Sequence, residues 1–407
     1  MAPNRQEIGR DSLAALVTQL HLLGGGASRA TLTDRLGCGR SVMGYLLAEL
    51  TDRGVITIDR ATRRNTGQDT GRPSHQVTIA PKAPAVIAVH IDVDAATVAT
   101  VALGGRVLRT STISLQQRIA VEIVLDQVCA LVAEQSQSLP RLLAIGVAVP
   151  SPVRRSDGYA FAPLHLGWGA LPLRTMLAER LVGIPGITEL PLVIGNDANL
   201  AGLAEYHHGA GRDTTQMLYL TTAHIGLGGG LISKGQLFDG ANGYAMEPGH
   251  ITVDPAGMPC ACGSTGCLEI EADHRGLLRA GGRATSSDHD IARSADLLLQ
   301  AAARGEETAI TAVRHVAARL GNGLASLTNL TDPDCIVLGG SLARYHQLAP
   351  ETIADNLTAR SFLSHADPVL IQEGALSAPS LLGAADLAFQ PLLDDPRLTL
   401  DNAGQRP

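Results

Sequence analysis

The stretch EPGHITVDPAGMPCACGSTGCLE, residues 247–269, carries the most specific pattern in this 407-residue chain. It places His250, Cys260, Cys262 and Cys267 within eighteen residues, with glycines between them that let the backbone wrap closely. Thiolate and imidazole are the ligands that tetrahedral Zn²⁺ prefers. Because four protein ligands leave no position open for water, we expect a structural zinc ion that holds this loop rigid.

A disulfide or uncommitted thiols are the alternative interpretation of these cysteines. Cys260 and Cys262 lie only two positions apart, which is a poor spacing for pairing with each other. The first ten residues are polar and lack the apolar core of a signal peptide, which predicts a cytoplasmic protein, where disulfides are rare. No apolar run approaches the roughly 20 residues of a membrane helix, so no membrane partner is expected.

The charge is distributed unevenly along the chain. Residues 1–80 contain ten arginines and seven acidic residues, a net charge of +3, whereas the whole chain carries −7. A small basic head on an acidic body indicates that only the head contacts nucleic acid. The hydrophobic fraction of 45% excludes a wholly disordered chain, and the length predicts two or three domains.

Residues 1–80 show the pattern of three helices followed by a β-hairpin. Four apolar residues at helical spacing predict the first helix: Leu13, Leu16, Val17 and Leu20. Ser28 is expected to cap a second helix that ends at Gly37, and Ser41 is expected to cap a third. The third helix should bury Val42, Leu46, Leu47 and Leu50, and strands are expected at 55–58 and 75–79. This is the plan of a winged helix-turn-helix.

The third helix and the hairpin supply the expected DNA contacts. The second helix of such a pair enters the major groove, and its N-terminal side chains would be Arg40, Ser41, Met43 and Tyr45. The segment between the strands adds arginines suited to phosphates or to a narrow minor groove: Arg63, Arg64 and Arg72. The alternative is that a three-helix head serves as a protein-interaction or dimerisation module.

Strand-like and helical runs alternate over residues 85–393, which predicts an α/β body. Residues 81–84 are expected to form a linker, and residues 394–407 a polar tail. Asn196 and Asp197 directly follow a buried strand-like run, where polar side chains often meet a cleft. Such a pair suits sugar hydroxyls, which both donate and accept, and in an enzyme the Asp could be a general base. A turn with a helix cap is the alternative, and it is favoured when this motif is considered alone.

Taken together, these motifs resemble one family over nearly the whole chain. It is the ROK family of repressors, open reading frames and sugar kinases, and specifically its transcriptional-regulator branch. The runs Ser28-Arg29-Ala30-Thr31-Leu32 and Gly71-Arg72-Pro73 look like the regulators' winged head, which the sugar kinases lack. The stretch 247–269 is similar to the family's zinc signature. The resemblance implies a body of two actin-like, ribonuclease H-like lobes with a cleft between them.

By the same resemblance, five residues match the family's sugar-binding positions: Asn196, Asp197, Glu247, His250 and Glu269. Asp197 also matches the base of the kinases, and His250 would serve both zinc and sugar. Two neighbouring positions depart from the family pattern. Ser151 stands within the family's Pro-Gly-Pro, and Leu164 stands at the Asn that often precedes Gly167-Trp168.

The phosphate side of the cleft does not match the kinases. Their first hairpin carries Asp-x-Gly-x-Thr, whereas this chain reads His90-Ile91-Asp92-Val93-Asp94. Their Gly-Thr-Gly reads His224-Ile225-Gly226 here, although Ile336-Val337-Leu338-Gly339-Gly340 matches a later nucleotide-side motif and can persist as packing. Carboxylates facing nucleotide phosphates would repel them, so we expect no kinase activity and no catalytic residue.

These observations favour a sugar-responsive repressor that binds a palindromic operator as a homodimer or homotetramer and is released by its sugar. Two alternatives stay open. One is an ATP-dependent sugar kinase that retains a DNA-binding head, and the other is a sugar-dependent module whose head binds protein.

Overall fold

The computed structural model describes residues 5–59, 75–116, 118–137, 141–161, 163–222, 226–283 and 291–404. The elements described in the head are α1 (Arg5–Leu22), β1 (Gly26–Ser28), α2 (Arg29–Leu36), α3 (Arg40–Asp52), β2 (Ile56–Asp59) and β3 (Gln76–Ile79). The strands form an antiparallel sheet in the order β1-β3-β2. The three helices and the hairpin agree with the sequence pattern, and strand β1 is an element that the pattern did not reveal.

Local sequence sets the ends of α2. The backbone N–H of Thr31 donates to the hydroxyl of Ser28 at 3.0 Å, so Ser28 caps the helix as expected. Gly37 ends the helix in the left-handed region at φ 58°, where a side chain would be strained. The turn between α2 and α3 is therefore short and sharply defined.

Helix α3 differs from the prediction in the face that it buries. Gly39 precedes its first turn in extended conformation, and Ser41 lies inside the helix rather than at its cap. Met43 is fully buried in the head core, whereas Val42 is 47% exposed. The reason is helical spacing, because positions 43, 46, 47 and 50 form one stripe. The prediction that Met43 contacts DNA is therefore wrong, as is the inward placement of Val42.

The first lobe of the body is built on a five-stranded sheet in the order β10-β7-β4-β5-β6. Its elements are β4 (Ala85–Ile91), β5 (Ala95–Ala102), β6 (Arg106–Ser114), α4 (Val121–Ser136), β7 (Leu142–Val149), β8 (Val153–Arg154), β9 (Tyr159–Ala160), a 3-10 helix (Leu164–Leu166), α5 (Leu173–Leu181) and β10 (Leu192–Asn196). Helices α4 and α5 contribute to the core on one face of this sheet. The other face packs against a C-terminal helix described below.

The second lobe is built on a sheet in the order β13-β12-β11-β14-β15. Its elements are α6 (Asp197–His208), β11 (Gln216–Thr222), β12 (Gly228–Ser233), β13 (Gln236–Leu237), a 3-10 helix (Pro248–His250), α7 (Leu268–Ala272), α8 (His274–Ala280), α9 (Ile291–Ala303), α10 (Glu307–Thr331), β14 (Cys335–Gly339), α11 (Gly340–Leu348), α12 (Pro350–Arg360) and β15 (Leu370–Glu373). The chain then forms α13 (Pro379–Asp394) against the first sheet, and α14 (Pro396–Gly404). Two sheets, each with its own helices, give the predicted two-lobed α/β body.

Three parallel strands of the first lobe end at one edge of the sheet. β4 and β10 both pair in parallel with β7, with His90 opposite Ala148 and Asn196 opposite Val149. Because parallel strands present their carboxyl ends at the same edge, Asp92 and Asp197 are brought to one place. This edge lies at the start of α6 and forms one wall of the candidate site.

The C-terminal residues depart from the expected polar tail. Residues 396–404 form α14, whose Leu400 is 2% exposed and joins the core that contains α1 and α13. Arg397 of this helix donates two hydrogen bonds to Glu49 of the head, each at 2.7 Å. The apolar positions are too few to stand out in the sequence, because only one face of a short helix is buried. Among the described helices, none is both long and apolar enough to span a membrane.

The face of α3 generates a first prediction. Met43→Ala should lower the free energy of unfolding by about 2–5 kcal/mol because it empties a packed core position. The neighbouring Val42→Ala should change it by less than about 0.5 kcal/mol because Val42 is exposed. Urea unfolding followed by circular dichroism checks both variants, and equal losses would contradict the assigned face.

Candidate functional site

One histidine and three cysteines converge at the tip of the loop after β13. One ligand atom from each of His250, Cys260, Cys262 and Cys267 lies within 4.8 Å of the others. The sulfurs of Cys262 and Cys267 are 3.6 Å apart, and Nδ1 of His250 is 3.8 Å from the sulfur of Cys260. Tetrahedral bonds of about 2.3 Å would separate two sulfurs by about 3.8 Å, so the four side chains fit a zinc ion.

Backbone contacts hold the segments that carry these ligands. Thr252 pairs with Cys267, and Pro259 pairs with Thr265. Gly266 adopts φ 65°, and a Cβ at this position would lie 1.5 Å from the carbonyl oxygen of Asp254. Glycine is therefore required here for two reasons, the backbone conformation and the close approach of a neighbouring chain segment. The loop is shaped by tight turns, as its glycines predicted.

Three carboxylates face one another beside this cluster. Asp197 opens α6, Glu247 precedes the 3-10 helix of the loop, and Glu269 lies in α7. Burial raises the pKa of Glu247 to about 7, and the charges of Asp197 and Glu269 add to the rise. Burial also raises the pKa of Asp197, with His90 opposing the rise and Asp92 adding to it. Asp92 and His90 lie near Asp197 because β4 and β10 end at the same edge of the first sheet.

Asn196 is brought to the same cleft, but its amide already has partners. Its Oδ1 accepts the N–H of Asn199 at 2.9 Å, which makes it the N-cap of α6. Its Nδ2 donates to the carbonyl oxygen of Ser151 at 3.1 Å. The cap interpretation of the Asn-Asp pair therefore holds for Asn196. This residue orients Asp197 and ties the loop after β7 to the start of α6.

His165 is a cleft residue that the sequence analysis missed. Leu164, which stands where the family often has Asn, is 57% exposed, and the next residue, His165, lies near enough to Asp197 to oppose the rise of its pKa. A Cβ built on Gly226 would meet Nε2 of His165 at 2.8 Å and Oε2 of Glu269 at 3.2 Å. Both side chains therefore approach Gly226 at the place where a side chain would stand. The signal available in the sequence was a histidine two residues before Gly167.

Arg275 is the second missed residue, and it fixes the far end of the cleft. Its Nε donates to Asp273 at 2.7 Å, and a terminal nitrogen donates to Oε1 of Glu269 at 3.2 Å. Glu269 is 6% exposed, so the paired guanidinium compensates a buried charge. This arrangement holds one carboxylate oxygen of Glu269 in place and directs the other toward Gly226.

The glycine loop that would face phosphate in a kinase is committed to other contacts. The N–H of Gly226 donates to Asp273 at 3.4 Å, and the N–H of Leu227 donates to Glu269 at 3.3 Å. Gly228, which follows, begins strand β12 and belongs to the sheet. The N–H groups of Gly226 and Leu227 thus already have carboxylate acceptors, which agrees with the expected departure from a kinase phosphate loop. His224 and Ile225 lie outside the described residues.

The later motif, Ile336 to Gly340, has a packing role in the structure. A Cβ at Gly339 would lie 2.2 Å from the hydroxyl of Tyr219, and one at Gly340 would lie 1.9 Å from the carbonyl oxygen of Thr222. Both glycines allow α11 to start close against β11. Their presence therefore has a structural explanation that does not require a nucleotide.

The first hairpin differs from a phosphate-binding turn in its side chains. The N–H of Asp92 donates to the carbonyl oxygen of Ala95 at 2.8 Å, and the N–H of Val93 donates to the carboxylate of Asp92 at 2.7 Å. Asp94 accepts the N–H of Leu115 at its carbonyl oxygen at 2.7 Å. The turn is thus closed by its own carboxylate and backbone, at the place where a kinase needs groups that donate to phosphate.

The head presents the first turn of α3 to solvent. Arg40, Ser41 and Tyr45 are exposed, with Tyr45 65% exposed. The guanidinium of Arg29 donates to the carbonyl oxygen of Arg40 at 2.9 Å and fixes α2 against α3. Three of the four expected recognition-helix residues therefore share one exposed surface, without Met43. The wing residues Arg63, Arg64 and Arg72 lie outside the described residues.

Comparison with known proteins gives the class of this protein. The ROK family model matches residues 86–390. A glucokinase of Halalkalibacterium halodurans is 34% identical over 50% of this chain, which spans 62% of that glucokinase's length. A putative xylose repressor of Caldicellulosiruptor sp. is 25% identical, and the match covers 91% of this chain and 93% of the length of that repressor.

A solved structure shares the fold across the head and the body. It is the crystal structure of a ROK family transcriptional regulator, a homolog of the Escherichia coli MLC protein, with a TM-score of 0.74 and 23% identity. The match covers 97% of this chain and 98% of the other. The chain belongs to the ROK family, with the two-lobed α/β body that the sequence predicted.

Proposed function

We propose that this chain is a sugar-responsive transcriptional repressor without kinase activity. Its parts are a DNA-binding head at residues 1–80, a linker at 81–84 and a sugar-binding body at 85–393. The observation that carries the proposal is the joining of a three-helix head to a ROK body in one chain. A putative xylose repressor has the same extent, whereas the glucokinase relative matches half of this chain.

The cleft offers the chemistry of a sugar site. The carboxylates of Asp197, Glu247 and Glu269 accept hydroxyl donors, and the outer ring nitrogen of His250 adds another polar group. His165 faces these groups from the first lobe. Asn196 caps α6 and keeps a second lone pair on its amide oxygen and a second amide hydrogen for a sugar hydroxyl. A pyranose that touches both lobes would favour one degree of lobe closure.

The phosphate side supports the absence of phosphoryl transfer. That reaction depends on positioning a nucleotide and on neutralising its charge. Here Asp92 and Asp197 share one cleft, and the N–H groups of Gly226 and Leu227 donate to carboxylates. An entering phosphate would displace those contacts and face the same carboxylates. Within the part of the chain that the structure describes, the site therefore offers ATP neither donor groups that position its phosphates nor positive charge that neutralises them.

A sugar kinase is the second candidate function. The observation that favours it is Asp197, whose raised pKa at the end of β10 suits a general base for a sugar hydroxyl. The identity shared with the glucokinase relative points the same way. The two candidates differ in one measurable property, which is ATP-dependent release of a sugar phosphate.

Four side chains of the loop fit a structural zinc ion, and we infer that His250, Cys260, Cys262 and Cys267 hold it. When bound, the ion supplies a charged cross-link that fixes the loop. Nδ1 of His250 points toward Cys260, so Nε2 points away from the cluster. The same histidine can therefore hold the metal with one nitrogen and face a sugar with the other.

The head would bind an operator through α3, with Arg40, Ser41 and Tyr45 toward base edges. Palindromic operators match a two-fold symmetric pair of chains, so the active form is a homodimer or a dimer of dimers. The sugar acts through a difference in its affinity for the DNA-bound and free forms. A difference of about 2–3 kcal/mol changes operator affinity tens-fold to hundred-fold. Release on sugar binding gives repression in the absence of the sugar.

The cleft generates a second prediction. Wild-type protein should bind D-xylose or D-glucose in calorimetry and release no sugar phosphate with millimolar ATP. Asp197→Asn should weaken sugar binding by about tenfold or more, because one carboxylate oxygen that accepts from a hydroxyl becomes an amide NH2 that can only donate. The surface control Asp355→Asn should match the wild type. ATP-dependent phosphorylation of the sugar that disappears in Asp197→Asn would contradict the repressor proposal and support the sugar kinase.

The head generates a third prediction. DNA duplexes selected by the full-length protein from a random-sequence pool should share a palindromic site. Arg40→Ala should weaken binding to the selected duplex by about 1–3 kcal/mol if Arg40 contacts a base. Arg304→Ala removes the same charge from an exposed position of the body and should leave binding unchanged. Equal effects of the two variants in a mobility-shift titration would contradict the proposed contact between α3 and DNA.

The metal cluster generates a fourth prediction. Purified protein should contain about one Zn²⁺ per chain by plasma mass spectrometry, because four ligands fill one tetrahedral site. Cys262→Ser should lose the ion and weaken sugar binding, since Glu247 and Glu269 flank the same loop. Cys38→Ser, which changes a cysteine of the head, should keep both properties. Unchanged sugar affinity in folded, zinc-free protein would separate the metal from the sugar site.

A further inference from the structure

A second cluster of titratable side chains lies where the head meets the body. We call it the histidine joint, and it consists of His21 of α1, His207 and His208 of α6, and Asp386 of α13. Nε2 of His21 and Nε2 of His208 each lie 2.9 Å from Oδ1 of Asp386, and Nδ1 of His207 lies 3.0 Å from Oδ2. One buried carboxylate therefore ties the head helix to two helices of the body.

The hydrogen-bond directions within the joint are fixed by a backbone group. The N–H of Gly104, in the turn between β5 and β6, donates to Nδ1 of His21 at 3.0 Å. Nδ1 is therefore the unprotonated nitrogen, and Nε2 carries the proton that His21 donates to Asp386. One ligand atom from each member lies within 4.8 Å of the others. A metal ion bound to Nε2 of His21 would use the lone pair of that nitrogen and leave the ring proton on Nδ1. That proton would then face the N–H of Gly104. The contacts therefore favour hydrogen bonds within the joint over a metal ion.

Burial makes the joint sensitive to the loss of any member. His21 is fully buried, Asp386 is 1% exposed, and the rings of His21 and His208 lie 4.8 Å apart, edge to face. Burial lowers the pKa of His21, and Asp386 opposes this. The N–H that Gly104 donates to Nδ1 requires a neutral imidazole. Burial alone would raise the pKa of Asp386, but His207, His208 and His21 hold it well below its usual range. A charged carboxylate without these donors would be strongly destabilised.

Helix α6 connects the joint with the sugar cleft. It begins at Asp197, directly after its cap Asn196, and ends at His208. Its twelve residues span about 18 Å at the ordinary helical rise. The cleft acid and the joint histidines are thus the two ends of one rigid element, and any movement of Asp197 along the helix axis carries His207 and His208 with it.

Helix α13 is held against α6 too closely to move independently. A Cβ at Gly383 would lie 1.9 Å from the carbonyl oxygen of Leu200, so the two backbones are in direct contact. The turn that holds His21 also touches the head, since a Cβ at Gly104 would lie 2.4 Å from the backbone nitrogen of Gly25. Close backbone contacts therefore hold both the body helices and the head side of the joint. Because no loose packing is present between these described segments to absorb a shift of α6, such a shift changes the hydrogen bonds to His21.

We propose that the histidine joint transmits the occupancy of the sugar cleft to the DNA-binding head, with His21 as the positioning residue and α6 as the connecting element. The inference rests on the proposed function. In the sugar-free form the intact joint orients the head for DNA, and sugar bound at Asp197 shifts α6 and weakens the bonds to His21. Coupling then equals the difference in joint stability between the two forms, and it is reciprocal.

The test compares three full-length variants in titrations of the selected duplex, with and without saturating D-xylose or D-glucose. In the wild type the sugar should weaken duplex binding by about 10- to 100-fold. His21→Leu, which removes the donor, should reduce this response to less than about threefold. Sugar affinity without DNA should not fall, because the variant no longer opposes the shift of α6. His21→Gln keeps an N–H donor near the position of Nε2 and should retain most of the response.

Glu49→Gln is the matched control, because it weakens another contact between the head and the C-terminal helices, the pair Glu49–Arg397. It should keep the full sugar response. An equal loss in Glu49→Gln and His21→Leu would mean that any loosening of the head suffices, and an unchanged response in His21→Leu would remove the joint from the path. Either result overturns the proposal.

A sugar-free readout keeps the two proposals separable. Duplex binding should slow amide hydrogen exchange along α6 in the wild type and in His21→Gln, but not in His21→Leu. Slower exchange along α6 in all three proteins overturns the proposal for the histidine joint, even if neither sugar is the effector. A wild type that binds the duplex but responds to no sugar contradicts the proposed effector class, and one that binds no duplex contradicts the DNA-binding function.

Discussion

The parallel pairing of β4, β7 and β10 is the constraint on which the rest of the structure depends. It brings three strand ends to one edge of the first sheet, and it places Asp92, Ser151 and Asn196 there from segments far apart in sequence. Asn196 then bonds to Ser151 and caps α6, so the strand ends and the helix start are one unit. The cleft exists because this edge faces the zinc-type loop of the second lobe.

The two sides of the cleft differ in the contacts that their polar groups make. On the side with Asp197, Glu247 and Glu269, burial raises the pKa values of Asp197 and Glu247, and the charges of Asp197 and Glu269 add to the rise at Glu247. On the other side, backbone N–H groups that could serve a phosphate already donate to Asp273 and Glu269. A neutral ligand rich in hydroxyls fits such a site far better than an anion does.

The head is packed into the body rather than connected to it by the linker alone. Residues of α1 share one hydrophobic core with α13 and with Leu400 of α14. Polar contacts add direction to this apolar surface, since Arg397 binds Glu49 and Arg141 donates to the carbonyl oxygens of Arg53 and Leu400. A head held by so many directional contacts has few orientations available. Small changes in the body can therefore change the orientation of α3.

The sequence by itself determined the elements whose signals are local. Helical spacing located α1, Ser28 and Gly37 marked the ends of α2, and the spacing of His250 and three cysteines identified the metal-type loop, because each depends on neighbours within a few turns of chain. Only the tertiary structure decided which face of α3 is buried, that His165 lies beside Asp197, and that His21 meets Asp386 across 365 positions. Those outcomes depend on how separate elements pack, and a polar residue gives no sign in the sequence of the partner that will make its burial favourable.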